Sequence, residues 1–85
     1  MKDHLLSFEM DQKAGCLMIH GDAAGLQKLG DILARLINAT KPDHFNHEHL
    51  KTPAWAGYEL SEENKGGEVL NHVKVYCWKG TEPQV

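Results

Sequence analysis

The period of an α-helix occurs once in this chain. Between Ala23 and Ala39, Leu26, Leu29, Leu33, Leu36 and Ile37 recur at spacings of three and four, while Gln27, Lys28, Asp31, Arg35 and Asn38 fall opposite. Asp22 stands just ahead, where a carboxylate accepts hydrogen bonds from free first-turn N–H groups and suits the positive end of the helix. Pro42 ends the helix, because the residue before a proline is driven out of helical conformation. Gly30 falls on the apolar side; a mid-helix glycine costs about 1 kcal/mol relative to alanine. Its expected reason is close approach to a sheet. Ile32 lies off the centre of the stripe and is free to meet a partner or simply to stand in solvent.

Around this helix the apolar residues alternate with period two, the mark of strands. His4 to Met10 places Leu6, Phe8 and Met10 on one face and Leu5, Ser7 and Glu9 on the other. The polar run Asp11 to Gly15 suits a hairpin, and Cys16 to His20, nearly all apolar, is expected as a central strand pairing antiparallel with the first. His44 to Leu50 reads as a third strand, broken by Thr52-Pro53. Trp55 to Leu60 is either a short strand or an ordered loop, and Ser61 to Gly67 is a turn. Glu68 to Trp78 is the longest strand candidate. Val69, Val73, Val75 and Cys77 share one face; Leu70, His72, Lys74, Tyr76 and Trp78 share the other.

The pattern β-β-α-β-(β)-β predicts an α+β fold, an antiparallel sheet of four to five strands with one α-helix packed on one face. With 85 residues the chain supports one domain, expected over 1–80, with 81–85 as a flexible C-terminal tail. A domain of this size buries only about 60% of its unfolded surface, so dimerisation is a natural way to bury more. One helix leaves the second sheet face uncovered. That face should carry His72, Lys74, Tyr76 and Trp78, which serve either as a protein-binding surface or as cross-strand pairs that shield the sheet.

Several function classes fall away. The formal charge is −3, neither half is basic, and Arg35 is the single arginine, so nucleic acid is not the expected partner. The longest apolar run is four residues, Cys16 to Ile19, too short to cross a bilayer, and the N-terminus lacks a secretory pattern. A cytoplasmic location is the resulting expectation. Cys16 and Cys77 are expected as reduced, buried, strand-borne thiols. No nucleophile elbow, phosphate loop or H-E-x-x-H motif occurs, so neither an enzyme nor a cofactor is expected. His47 and His49, two apart on a strand, point the same way and are the weak candidates for a metal pair, with His44, His72, Cys16 or Cys77 as a third ligand. Interface or structural histidines are the favoured reading, so no metal is expected.

The segment His47-Glu48-His49-Leu50-Lys51-Thr52-Pro53-Ala54-Trp55-Ala56-Gly57-Tyr58-Glu59-Leu60-Ser61, followed by Asn71-His72-Val73-Lys74-Val75-Tyr76-Cys77-Trp78, carries a resemblance. It is similar to the Imm32 group of bacterial immunity proteins from polymorphic toxin systems, with a pattern H-x-H-L-x-T-P-x-W-x-G-x-E-L-S before an N-H-x-K-hydrophobic-Y/F-x-W strand. The likeness extends upstream through the leucine-rich helix and covers roughly residues 16 to 78. The chain departs at Ala56, where that group often has a second glycine, and at Lys51, where it often has methionine.

The resemblance implies a non-catalytic α+β protein that binds and blocks a cognate toxin, with a nuclease among the toxin classes considered. The expected binding residues lie in loop 51–63 and on the last strand: Trp55, Tyr58, Glu59, Glu62, Glu63, His72, Lys74, Tyr76 and Trp78. Trp55 is either a hot-spot anchor or a lid over the core. The glutamates either oppose a basic toxin groove or are a solvated loop. Pro53 and Gly57 shape the loop, and His47 and His49 are expected to fix it through Glu59 or Asn71. The alternatives are a small histidine-based metal-binding module and a non-catalytic subunit of a homo-oligomer, including a homodimer.

Overall fold

Asp22 caps the helix as expected: its Oδ1 accepts the Gly25 N–H at 2.7 Å. That bond first, then the Leu5 N–H, hold its carboxyl below the usual range. The computed structural model describes residues 4–80. In chain order they form β1 (Leu6–Asp11), β2 (Cys16–Gly21), α1 (Ala23–Ala39), β3 (His44–Lys51), a 3-10 turn (Pro53–Trp55), β4 (Glu68–Val69) and β5 (His72–Lys79). This is the expected α+β class, with five antiparallel strands and one helix against them. The expectation of a tail at 81–85 lies outside the described residues.

The strands divide between two sheets, ordered β2-β1-β4 and β3-β5, where the pattern predicted one. The cause is a break at Leu70-Asn71 inside the expected strand 68–78. Before it, Glu68 and Val69 pair with β1; after it, His72 to Lys79 pair with β3. Leu70 N–H still donates to the Phe8 carbonyl (2.8 Å), and the Asn71 carbonyl then accepts the Thr52 N–H (3.1 Å). The segment Trp55 to Leu60 forms no strand. It is an ordered loop, and Leu60 and Ser61 stitch the sheets together by donating their N–H groups to the Lys51 and Leu6 carbonyls.

β1, not β2, is the central strand of its sheet. Leu6, Ser7, Phe8 and Glu9 are all buried, whereas Leu17 and Ile19 of the edge strand β2 are about half exposed. Cys16 is exposed too, contrary to the buried thiol expected; Cys77 is partly buried, and both are free. Leu6 and Phe8 meet Ile32, Leu50 and Leu60 in the core, with Leu29, Leu70, Val73 and Val75 packed around them. Ile32 is therefore a core residue rather than a spare contact.

The helix is turned from its expected orientation. Gly25, Ile32 and Leu36 are buried, while Leu26, Leu33 and Ile37 are exposed. The close approach predicted for Gly30 belongs instead to Gly25. A Cβ on Gly25 would sit 1.7 Å from the Leu5 carbonyl oxygen, whereas one on Gly30 would meet nothing within 4 Å.

Glu9 is a buried carboxylate on the strand face opposite Leu6, Phe8 and Met10. It accepts N–H bonds from Lys65 (2.6 Å) and Gly67 (2.9 Å), and His20 Nε2 lies 3.8 Å away, so it pins the 61–67 turn to β1. Burial alone would raise its pKa. The two backbone donors, with His20 and Lys65, hold it below the ordinary carboxylate value instead. Because the folded pKa lies below the unfolded one, this group stabilises the fold above the unfolded carboxyl pKa. That contribution is lost as pH falls through the folded value. Glu9→Gln is expected to lower Tm at neutral pH and to flatten the fall in Tm below about pH 5. A variant whose thermal melts track wild type at both neutral and acid pH would show that Glu9 does not anchor the turn.

Candidate functional site

The pairing of β3 with β5 sets Phe45 opposite Trp78, His47 opposite Tyr76, His49 opposite Lys74 and Lys51 opposite His72. Side chains alternate across a sheet, so these eight share one face. Leu50, Val73 and Val75 point to the other face and join the core under α1. The outer face therefore carries the rings, as expected for the side away from the helix.

The rings run continuously. Trp78 stacks on Phe45 at 4.8 Å between centroids, Tyr76 lies 6.4 Å from Phe45, and His47 stacks on Tyr76 at 5.2 Å. His49 meets His47 edge-on at 4.9 Å, His72 stacks on His49 at 5.0 Å, and Trp55 lies 5.8 Å from His72. Phe45 and Trp55 are each 54% exposed, and Tyr76 and Trp78 are 45% and 40% exposed. A strip of exposed aromatic rings held rigid by a β-ribbon has the composition of a protein-binding hot spot.

Three histidines form the middle of the strip. His47 Nε2 lies 3.2 Å from His49 Nε2, and His49 Nδ1 lies 2.8 Å from His72 Nε2. They bond to one another rather than to Glu59 or Asn71. Desolvation by the packed neighbouring rings, then the charges of the adjacent His47, His72, Lys51 and Lys74, hold the His49 pKa below its ordinary value. His49 shows a different nitrogen to each neighbour, so the rings as arranged do not converge on one point. Among the described residues no group of three or more His, Cys, Asp or Glu is placed to hold a metal ion.

The loop after β3 is tied down by other groups. Thr52 Oγ1 donates to Asn71 Oδ1 (2.7 Å), and Glu59 Oε1 accepts the Lys51 N–H (3.1 Å). Glu62 Oε2 accepts the Ala54 N–H (2.7 Å), and Glu63 pairs with Lys65 at 3.4 Å. The loop carboxylates thus serve the fold, and Glu59 and Glu62 brace the turn that carries Trp55. Pro53 opens that turn. Gly57 lies so close to β3 that a Cβ would fall 2.5 Å from the Lys51 carbonyl oxygen.

The structure thus gathers Trp55, His72, Lys74, Tyr76 and Trp78 of the expected binding residues on one face, with His47 and His49 among them. Tyr58 turns elsewhere: it is 76% exposed, with the Lys28 Nζ of α1 5.8 Å from its ring centre. Phe45 and Lys51 were missed as members of the face. Phe45 stands two residues before His47, so strand alternation alone was enough to find it.

Ser7 lies opposite His20 across β1 and β2, but its buried hydroxyl has no hydrogen-bond partner among the described residues. No helix among the described residues is long and apolar enough to cross a membrane. A family model described as immunity protein 32 matches residues 17–73, two thirds of the chain. No curated protein and no solved structure matches it.

Proposed function

The chain belongs to the immunity protein 32 family, and from that premise we propose that it binds a cognate toxin and neutralises it without chemistry of its own. The docking surface is the outer face of the β3–β5 ribbon together with the Trp55 turn. The observation that carries this reading is the unbroken strip of rings from Trp78 to Trp55, exposed at Phe45, Trp55, Tyr76 and Trp78. Such a face needs no cofactor: a rigid ribbon presents its anchors with little ordering cost on binding. The reading places the protein in the cytoplasm, where it would meet the toxin. It assigns Tyr58, Glu59, Glu62 and Glu63 to the rim or support of the surface rather than its centre.

Co-expression with the product of the neighbouring upstream gene tests the reading. Cell survival that depends on this chain, with a complex that co-purifies, is the expected result. Toxicity unrelieved by this chain, with no complex, would remove the immunity function. An assembly of two copies would draw on a separate surface. Leu17 and Ile19 of the uncharged edge strand β2 and Leu26, Leu33 and Ile37 of α1 are exposed there. The mass of the chain purified without toxin, read by light scattering, decides whether that surface joins two copies.

A further inference from the structure

Among the described residues, the charged groups that β3 and β5 place on the ring face are all of one sign. From β3 come His47, His49 and Lys51, and from β5 come His72 and Lys74, with the Tyr76 hydroxyl between them. The charged neighbours that act most strongly on His49 are histidines and lysines. The loop carboxylates Glu59 and Glu62 accept backbone N–H groups of Lys51 and Ala54, and Glu48 belongs to the opposite face of β3. A protein of net charge −3 thus places no acidic side chain of β3 or β5 on its outer ribbon face.

We infer that this face takes an acidic segment of the partner protein. Lys51 and Lys74 act as permanent cations, and the His47–His49–His72 chain as a cation that forms on binding. The inference rests on the proposed docking face and adds the chemistry of its occupant. It reverses the charge relation that loop glutamates alone suggest.

The histidine contacts set how much charge the chain holds. Each of its two ring–ring contacts needs one proton between the paired nitrogens. The two outward nitrogens, Nδ1 of His47 and Nδ1 of His72, have room for one each. Three neutral rings carry three protons and these places hold four, so the chain accepts one extra proton with both contacts intact. A second extra proton must break a contact. Desolvation, then the like charges of His47, His72, Lys51 and Lys74, disfavour the charged form of His49 in the free protein. A carboxylate laid on the face restores it.

Protein carboxylates fit better than nucleic acid. Two lysines and at most one imidazolium are far fewer cations than a polyphosphate partner engages, and the single arginine, Arg35, lies on α1. The exposed Phe45, Tyr76, Trp78 and Trp55 match protein hot spots.

The test uses the full chain and three probes: a twelve-residue peptide rich in Glu and Asp with one Trp, its Lys-rich counterpart, and a twelve-nucleotide oligo(dT). Ring signals of His47, His49 and His72 are followed by NMR through a pH titration. The acidic peptide is expected to shift these signals and to raise the pKa of His49, so that it binds about tenfold tighter for each unit of rise as pH falls. Lys74→Glu should weaken it about tenfold, and Lys74→Arg should leave it within about twofold. Equal or stronger binding of the basic peptide or oligo(dT), or no shift at millimolar acidic peptide, overturns the inference. Repeating the lysine variants with the co-expressed toxin separates the two readings. A toxin bound equally well by Lys74→Glu leaves immunity standing and sinks the acidic occupant; acidic-peptide binding without toxin binding does the reverse.

Discussion

Gly25→Ala is expected to leave much of the protein unfolded at physiological temperature, while Gly30→Ala stabilises it. The two substitutions are chemically identical and lie on one helix. At Gly25 the new methyl would stand 1.7 Å from the Leu5 carbonyl oxygen and 2.6 Å from its carbon. That carbonyl also accepts the Asp22 N–H (3.1 Å), so it cannot move without loosening the start of the helix. Overpacking against backbone costs about 3 kcal/mol or more, a large part of what a domain of this size has. At Gly30 the methyl meets nothing, and the gain in helix propensity is about 1 kcal/mol. In thermal melts Gly30→Ala should rise by about 4–8 °C, and Gly25→Ala should fall by more than about 12 °C. Matching melts for the two variants would refute the assignment of the close contact.

Removal of the exposed rings should affect binding far more than folding. Trp78→Ala and Tyr76→Ala are each expected to cost about 2 kcal/mol of toxin affinity, roughly thirtyfold, as central aromatic anchors do. The loss of stability should stay at about 1 kcal/mol, because both side chains are 40% exposed or more and their main folded contacts are neighbouring rings. Leu33→Ala, on the exposed side of α1, is the matched control and should leave affinity unchanged. Titration calorimetry against the purified toxin decides between the faces. If Leu33→Ala loses binding and the ring variants keep it, the toxin docks on the helix.

Much of the candidate site was legible because it depends on period two and short spacings. His47 and His49 had to share a face, as did His72, Lys74, Tyr76 and Trp78, wherever the strands went. The Pro53-x-Trp55-x-Gly57 spacing likewise marked a tight loop. The structure adds the reason for two of its positions. Gly57 lies against β3, and Ala56 ends the turn at φ 64°, a left-handed conformation that glycine, often present there in the resembled group, adopts freely. The register was not legible. That His49 Nδ1 meets His72 Nε2 depends on pairing across twenty-three residues of chain, and nothing local specifies it. The buried role of Glu9 was hidden for the same reason: its donors, Lys65 and Gly67, arrive from a turn far along the chain.

Local chemistry was thus enough for the hairpin, for the helix from Ala23 to Ala39 and its Asp22 cap, for β3, and for the α+β class. These follow from capping, proline and periodicity, which act within a few residues. Packing alone chose which leucines entered the core. A leucine-rich helix offers two overlapping stripes, one through Gly25, Leu29, Ile32 and Leu36 and one through Leu26, Leu29, Leu33 and Ile37. Hydrophobicity is close to indifferent between them. The backbone of Leu5 is not, because only the glycine at position 25 lets the helix sit down on it. The split of the last strand between two sheets has the same character: Asn71 and Thr52, nineteen residues apart, hold the chain where it crosses from one sheet to the other, and the ribbon that follows carries the rings.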